Sequence, residues 1–190
     1  MGRMSDLEPV LRTLPAFPDE LPTLDPEQLP DDPEELFRDW LGAAIDSGER
    51  QPHAMTFITV RPDGVPVGRT LIVKDIDGAG FHFSTHRSSR KGAELDAYPQ
   101  ASMLFFWRAS GRQVRITGTV VALDEAISQR DWADRPSYTG SPNPDWQRYA
   151  LVPSEYEFMQ AQHDRKHPRI EYRRDGANAW SHGRVATPAG

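Results

Sequence analysis

Basic side chains fall in three short segments of this sequence, and their types could bind an anion. They are Arg69 and Lys74, Arg90 and Lys91, and Arg112 and Arg115. Arg90 and Lys91 follow two serines at a predicted helix start, where cations, hydroxyls and free amides suit a phosphate monoester. Arg69 and Lys74 are five residues apart on a predicted strand, so they face opposite sides unless a bulge intervenes. The clustering indicates either a local anion site or a solvated basic face.

A glutamine and a further cationic cluster could also bind or act on a ligand. Gln113 stands in the run RQVRITGTVV, where a half-buried amide needs partners and a heterocycle edge could supply both a donor and an acceptor. A satisfied structural glutamine is the alternative. Arg165, Lys166 and His167 form another cationic cluster. His167 could move a substrate proton near neutral pH or bind an anion, and a solvated turn explains the cluster equally well.

Composition excludes several other classes. The 190 residues contain no cysteine, which excludes disulfides, iron–sulfur clusters, thiolate zinc sites and thiol nucleophiles and is natural in a reducing cytoplasm. The net charge of −6 argues against a dedicated nucleic-acid binder. No apolar run approaches the ~20 residues that cross a bilayer, and the amino terminus lacks a signal-peptide pattern. We therefore expect a cytoplasmic protein with neither nucleic-acid nor membrane partners.

Metal binding is not predicted either. His163 and His167 are four residues apart, a spacing that would place both on one helix face. Pro168 follows at once, however, and the stretch HDRKHPR has no helical pattern. The nucleophile-elbow and glycine-rich nucleotide motifs are also missing from the sequence.

The elements that must position these side chains follow a proline-rich segment. Seven of the 17 prolines fall within residues 1–33, so residues 1–32 are predicted to form an irregular arm. Its candidate anchors are Leu14, Phe17 and Leu21. A helix is predicted over residues 33–47, because Asp32 can cap it and apolar residues recur at helical spacing.

Short threonine-containing apolar segments, separated by Asp-Gly and Ser-Gly turns, predict strands. The predicted strands are residues 54–60, 65–74, 80–85, 101–107, 112–123, 155–160, 169–174 and 178–184. The predicted helices are residues 89–97 and 125–133, and residues 136–148 are predicted to be a turn-rich loop. This pattern favours a mainly β (α+β) fold, an antiparallel barrel with flanking helices.

Five segments, taken in order, resemble a known family. They are DPEELFRDWL, HAMTFITVRPDGVPVGRTLIVK, GFHFSTHRSSRKGAEL, ASMLFFWRASGRQVRITG and YEFMQAQHDRKHPRIEYRR. Together they resemble the pyridoxamine 5′-phosphate oxidase family of FMN-dependent enzymes, over about residues 31–123 and 149–190. The resemblance implies that residues 33–190 form a split-barrel domain that binds FMN, and that two copies form a homodimer with the flavin at the interface.

The resemblance also implies roles for individual residues. The implied FMN-binding residues are Arg69, Thr70, Leu71, Ile72, Val73, Lys74, Ser84, Thr85, Arg90, Lys91, Gln113, Met159 and Arg169. The implied substrate-binding residues are Lys74, Asp131, Arg135, Thr139, Arg165 and His167. Arg165 and His167 would flank the reacting carbon and are the predicted catalytic residues.

This sequence departs from the family pattern at several positions. Met159 replaces a flavin-contacting tryptophan, Asp131 replaces a substrate-phosphate tyrosine and Thr139 replaces a serine. A Gln-Ser pair with its helical segment is missing between Thr139 and Trp146. Because a carboxylate at position 131 would repel a phosphate, these departures affect the substrate side more than the cofactor side.

The resemblance implies an FMN-dependent oxidase in which a substrate carbon gives a hydride to the flavin and O2 reoxidises it, releasing H2O2. Arg135, Arg165 and His167 favour pyridoxamine or pyridoxine 5′-phosphate as the substrate. The sequence FSTH at residues 83–86 also resembles the corresponding segment of the phenazine-biosynthesis oxidases, which act on reduced tricyclic compounds. A flavin-binding protein without turnover is a third hypothesis, and a deazaflavin is the alternative cofactor.

Overall fold

The computed structural model describes residues 7–176 and 179–185. In these residues the helices are α1 (Glu8–Arg12), α2 (Pro33–Asp46), α3 (Arg90–Ala97) and α4 (Glu125–Ala133). The strands are β1 (Ala54–Val60), β2 (Pro66–Ile72), β3 (Asp75–Asp77), β4 (Gly80–His86), β5 (Gln100–Trp107), β6 (Arg112–Ala122), β7 (Trp146–Gln160), β8 (Arg169–Asp175) and β9 (Ala179–Arg184). No helix in this part of the chain is both long enough and apolar enough to span a bilayer.

These strands form one antiparallel sheet with the order β2-β1-β5-β6-β7-β4-β3, and β8 and β9 extend it beside β7. Directly opposed residues point to the same side of a sheet. Phe57, Met103, Ile116 and Tyr156 lie opposite one another across β1, β5, β6 and β7, and all four are buried. This row defines the inner, core-facing side of the sheet. The predicted mainly β, antiparallel split-barrel fold is confirmed.

Helix α2 covers the core as predicted. The Asp32 side chain accepts a hydrogen bond from the Glu34 amide at 2.9 Å, and Pro33 occupies the first turn. Such a cap and a proline at the start define where a helix begins. The fully buried Phe37 ring lies 4.9 Å from that of Phe105, so the helix closes over the inner side of the sheet.

Two predicted strands have wrong boundaries. Strand β2 ends at Ile72, so Lys74 lies beyond it and not on the predicted strand 65–74, and the short strand β3 was not predicted. Strand β7 begins at Trp146, inside the predicted loop 136–148, so the predicted strand 155–160 is only its last part. Tyr149, Ala150 and Leu151 are buried in succession, because β7 is covered on both faces and lacks the alternation that marks a half-buried strand.

The predicted arm is partly helical, since α1 forms within it. Leu14 is 57% exposed and is not an anchor, whereas Phe17 and Leu21 are half-buried. Position 178, the predicted start of the last strand, lies outside the described residues, and β9 begins at Ala179.

Candidate functional site

A group of hydroxyls and cations lies at the amino-terminal end of α3. Ser89 caps this helix, and its hydroxyl accepts a hydrogen bond from the Gly92 amide at 3.2 Å. The Lys91 ammonium donates to the Thr85 hydroxyl at 3.0 Å, and that hydroxyl lies 3.3 Å from the Ser89 hydroxyl. The turn from β4 into α3 therefore brings together Thr85, Ser89 and Lys91, as the sequence indicates.

Arg69 reaches the same place from β2. Its guanidinium donates to Glu94 Oε2 at 2.8 Å and to the Thr59 hydroxyl at 2.5 Å. Thr59 itself donates to the same Glu94 oxygen. Glu94 is only 6% exposed, and a buried carboxylate of this kind needs charged or hydrogen-bonding partners. We call Thr59, Arg69, Thr85, Ser89, Lys91 and Glu94 the α3 cluster.

The α3 cluster holds more positive than negative charge. Burial lowers the pKa of Lys91, and the charge of Arg69 lowers it further, while Glu94 acts in the opposite direction. Two cations close enough to repel each other favour an anionic ligand. The exposed Arg90 lies beside them, on the wall of a cleft of about 400 Å³ that Arg61 and Glu94 also line.

Strand β2 is an edge strand next to this cluster. In the described chain it pairs with β1 alone, so the backbone groups of its other edge are available to a ligand. Ile72 and Thr70 lie on the outer side of the sheet, and Arg69 and Leu71 lie on the inner side opposite Phe57 and Met55. Residues 69–72 of the predicted FMN-binding run thus offer a free backbone edge as well as side chains, whereas the Val73 and Lys74 amides donate to the carbonyls of His53 and His82.

Lys74 lies past the end of β2 and belongs to a second cluster beneath α4. Its ammonium contacts both oxygens of Asp131, at 2.7 and 2.8 Å. Arg148 donates to Asp131 at 2.9 Å, and the Trp146 indole N–H donates at 2.7 Å. We call Lys74, Asp131, Trp146 and Arg148 the α4 cluster. Asp131 was expected to repel a ligand phosphate, but its charge is matched inside the protein by Lys74 and Arg148.

The hydrogen bonds of the α4 cluster stabilise the charged form of Asp131. Burial opposes ionisation, yet hydrogen bonds from Lys74 and Trp146 outweigh it and hold the pKa of Asp131 below its ordinary value. Asp131 is 7% exposed. An ionised carboxylate with this many donors is a satisfied buried group, and removing it would leave two cations without their partner.

Aromatic rings surround the next predicted substrate residue. The Arg135 guanidinium lies 4.2 Å from the Trp146 ring centroid and 5.6 Å from that of Trp132, which are cation–π distances. Arg135 has no carboxylate partner among the described ion pairs. Thr139, further along the loop, is exposed. This region therefore holds a cation stacked on two tryptophan rings, of which Trp146 is buried and Trp132 half-buried.

Three other predicted cofactor residues lie in one row on the outer side of the sheet. Gln113, Met159 and Arg169 are directly opposite one another across β6, β7 and β8. Arg169 donates to Glu157 at 2.7 Å. The row is on the side of the sheet opposite the Arg69 side chain, and no contact among the described residues joins it to the α3 cluster.

The predicted catalytic residues lie on the loop between β7 and β8, residues 161–168. Arg165 is exposed and has a φ of 64°, a left-handed conformation that is uncommon for residues other than glycine. His167 accepts a hydrogen bond from the Gln162 amide at Nδ1, at 2.9 Å. In the described chain no contact joins this loop to Lys74 or Arg135, so one chain presents the predicted substrate site in two separate parts.

Sequence reasoning missed several residues of these clusters. Glu94 sits in a short helix whose pattern marks no buried acid, and Thr59 is an ordinary strand threonine. Trp146 and Arg148 both fall in the segment 136–148 that was expected to be a loop. Because the contacts within each cluster join positions far apart in sequence, spacing alone could not indicate these residues. Only the family resemblance of the flanking segments pointed to the clusters.

An antiparallel split barrel with a cationic cluster beside an open edge strand defines the class of protein. Residues 41–160 match the family model described as pyridoxamine 5′-phosphate oxidase. Residues 146–187 match the model described as the pyridoxine 5′-phosphate oxidase C-terminal dimerisation region. The chain therefore belongs to the pyridoxamine 5′-phosphate oxidase family, which consists of oxidase-type proteins.

Individual relatives agree with this assignment. The pyridoxine/pyridoxamine 5′-phosphate oxidase of Bordetella pertussis is 34% identical, over 84% of this chain and 91% of that protein. The protein of the same name from Thermosynechococcus vestitus is 35% identical, over 77% and 85%. The crystal structure of PhzG from Burkholderia lata 383, in complex with tetrahydrophenazine-1-carboxylic acid, is 30% identical with a TM-score of 0.81, covering 88% of this chain and 99% of that one.

Replacing Asp131 tests the α4 cluster. Asp131→Asn should lower the free energy of unfolding at pH 7 by about 2–4 kcal/mol, because it leaves Lys74 and Arg148 without a buried counter-charge. The folded-state pKa is depressed, so the stabilisation is complete above the unfolded-state pKa of about 3.9 and is lost as the pH falls through the folded value. Urea unfolding across this pH range measures the difference.

The control is Asp124→Asn on the same helix, where the side chain makes no capping hydrogen bond. It should change the stability by less than about 0.5 kcal/mol. Equal stability of Asp131→Asn and the unmodified protein at pH 7 would contradict the role given to the ion cluster.

Proposed function

We propose that this protein is an FMN-dependent oxidase. The observation that carries the proposal is the α3 cluster, in which Arg69 and Lys91 converge beside two hydroxyls and a helix start. Such a cluster suits one terminal phosphate monoester, as in FMN. The open edge of β2 can meet the polar rim of a flat ring with backbone donors and acceptors. The composition without cysteine supports a cytoplasmic location.

When bound, FMN would take a hydride from a substrate carbon and be reoxidised by O2, with release of H2O2. The chain's own groups do the positioning. Arg69 and Lys91 hold the phosphate, Thr85 and Ser89 complete its hydrogen bonds, and Glu94 keeps the Arg69 guanidinium oriented before the phosphate arrives. Orientation of this kind reduces the ordering that binding must impose.

The outer row of Gln113, Met159 and Arg169 supports a homodimer with the flavin at the interface. These residues face away from the α3 cluster of their own chain, so a second copy would bring them to the cofactor. The same would hold for Arg165 and His167. Residues 146–187 match a dimerisation region, and Phe106, on the outer side opposite Gln113, is 45% exposed.

For the substrate, the family resemblance and the α4 cluster favour different compounds. The curated relatives are pyridoxine/pyridoxamine 5′-phosphate oxidases, and Arg135, Arg165 and His167 are present here. Pyridoxine or pyridoxamine 5′-phosphate (here called the B6 phosphates) would need Lys74 as a ligand of the phosphate group. Both hydrogen bonds of Lys74 go to Asp131, however. Asp131 engages both Lys74 and Arg148, whereas Arg135 has no carboxylate partner among the described ion pairs.

This observation favours a second candidate, a reduced polycyclic substrate without phosphate. The half-buried Trp132 packs against the buried Trp146, with the ring centroids 5.5 Å apart, and Arg135 stacked on them can pair with a single carboxylate. The PhzG structure holds a compound of this type. We propose that this protein is a flavin-dependent oxidase of the pyridoxamine 5′-phosphate oxidase type. Its preferred substrate is a reduced polycyclic carboxylate.

Flavin affinity tests the α3 cluster. Arg69→Ala and Lys91→Ala should each weaken FMN binding by about 1–3 kcal/mol, the value of a charge-assisted hydrogen bond. Quenching of FMN fluorescence on titration with the protein measures the change. Arg50→Ala, which removes an exposed arginine between α2 and β1, should leave the affinity unchanged. An unmodified protein that is colourless and takes up no FMN refutes the proposal.

The dimer is tested on the outer side of the sheet. Phe106→Asp should shift the protein towards monomer and weaken FMN binding, because a charge would be buried at the proposed interface. Light scattering at micromolar concentration measures the mass. The control is Ile127→Asp, which changes a similarly exposed apolar residue on α4 and should leave the dimer intact. A flavin-bound monomer of the unmodified protein is the contrary result.

The substrate is tested by anaerobic reduction of the bound flavin. Tetrahydrophenazine-1-carboxylic acid should bleach the flavin faster than pyridoxamine 5′-phosphate does. Asp131→Asn releases Lys74 and should raise kcat/KM for the B6 phosphate by about tenfold, or about 1.4 kcal/mol, while Asp124→Asn should not. Rapid reduction of the unmodified protein by pyridoxamine 5′-phosphate would instead identify the B6 reaction.

A further inference from the structure

The amino-terminal arm packs on the loop that carries the predicted catalytic residues. The ring of Phe17 meets the ring of His167 edge to face, with the centroids 6.2 Å apart and the planes at 85°. His163 Nε2 donates to the Asp19 carbonyl at 3.2 Å. The arm therefore contacts two side chains of loop 161–168, those of His163 and His167.

Gly111, at the turn between β5 and β6, allows this approach. It has a φ of 62°, and a Cβ at this position would lie 3.3 Å from Phe17 and 3.2 Å from Leu21. The Ala161 amide donates to the Gly111 carbonyl at 2.9 Å. The turn thus supports the start of the loop and leaves room for the arm to lie across it.

The loop itself fixes the protonation pattern of His167. A backbone amide can only donate, so the hydrogen bond from Gln162 to Nδ1 requires that this nitrogen carries no proton. The neutral ring then has its proton on Nε2. His167 is half-buried, and the Phe17 contact limits rotation of the ring away from this arrangement.

The neighbouring Arg165 shows that the loop is held in an unfavourable conformation. Its φ of 64° lies in the left-handed region, and such a residue persists only when its surroundings determine it. The Arg165 amide donates to the Gln162 carbonyl at 3.1 Å, and the Lys166 amide donates to Asp164 Oδ1 at 3.0 Å. These are contacts within the loop, whereas Phe17 and Asp19 restrain it from outside.

We propose that Phe17 is a positioning residue for the substrate side of the site. By packing against His167 it keeps the ring in its Nε2–H form and keeps loop 161–168 folded, so that Arg165 and His167 are presented to the substrate together. The role in catalysis rests on the function proposed above for these two residues, but the packing effect does not. The arm is then part of the site rather than a tail.

Histidine NMR tests the packing effect on the full-length protein. In ¹⁵N-histidine-labelled protein, His167 is assigned by the signal lost in His167→Gln and should show the Nε2–H pattern. Phe17→Ala should average the two tautomers, and Phe17→Leu, which keeps an apolar contact, should do so less. Leu14→Ala on the exposed part of the arm should match the unmodified protein. An unchanged His167 pattern in Phe17→Ala, or an equal change in Leu14→Ala, overturns the proposal.

Kinetics test the catalytic consequence. Phe17→Ala should raise KM for the substrate that reduces the flavin by about two- to tenfold, the range that an edge-to-face aromatic contact supports, with FMN affinity unchanged. An unchanged KM overturns the positioning role. Absence of flavin or turnover in the unmodified protein would refute the proposed function instead, and the tautomer pattern would still decide whether Phe17 fixes His167.

Discussion

The alternation of side chains along the antiparallel strands is the constraint on which the rest of the structure depends. Inner positions such as Phe57, Met103 and Ile116 must meet the core, and their strand neighbours must then point outward. The same rule places Arg69 inside and the row Gln113, Met159 and Arg169 outside. A site that needs both the inner Arg69 and the outer row cannot be completed by one face of the sheet. This separation is the physical reason for expecting a partner subunit.

Charge compensation distinguishes the two polar clusters. In the α3 cluster, Arg69 and Thr59 share one oxygen of Glu94, and Lys91 is bound to a neutral hydroxyl. In the α4 cluster, Asp131 receives Lys74 on both oxygens together with two further donors. The first cluster therefore retains a cation for an incoming anion, whereas the cations of the second are engaged. Similar residue types thus leave an uncompensated positive charge in one place and form a closed ion cluster in the other.

The parts of the fold that sequence predicted are those set by local interactions. Helix α2 follows from its cap and apolar spacing, and the β5–β6 hairpin follows from two apolar segments around Ser110-Gly111. The predicted strand was shorter than β7, because β7 is covered on both faces and its first part lacks the alternation of apolar and polar residues that marks a strand. The turn before α3, with its hydroxyl and two cations, was predicted for the same local reason, since Ser89, Arg90 and Lys91 are adjacent.

The candidate site beyond that turn could not be predicted from spacing. Lys74 and Asp131 are 57 positions apart, and nothing in either segment indicates the other. The repulsion expected from Asp131 treated it as an isolated charge facing a ligand, whereas the fold supplies its counter-charges. The Gln113–Met159–Arg169 row came from family resemblance alone, because register between β6, β7 and β8 depends on the assembled sheet.

The cofactor side and the substrate side are built on supports of different kinds. The α3 cluster is braced by a short β4–α3 turn and by a buried carboxylate, so its geometry is set within a compact unit of the barrel. The substrate side combines α4, the 161–168 loop and an arm that begins more than a hundred residues earlier in the chain. A single change such as Asp131 can therefore alter which anion is accepted there without disturbing Arg69, Lys91 or the open edge of β2. The proposed flavin site and a changed substrate are for this reason compatible in one fold.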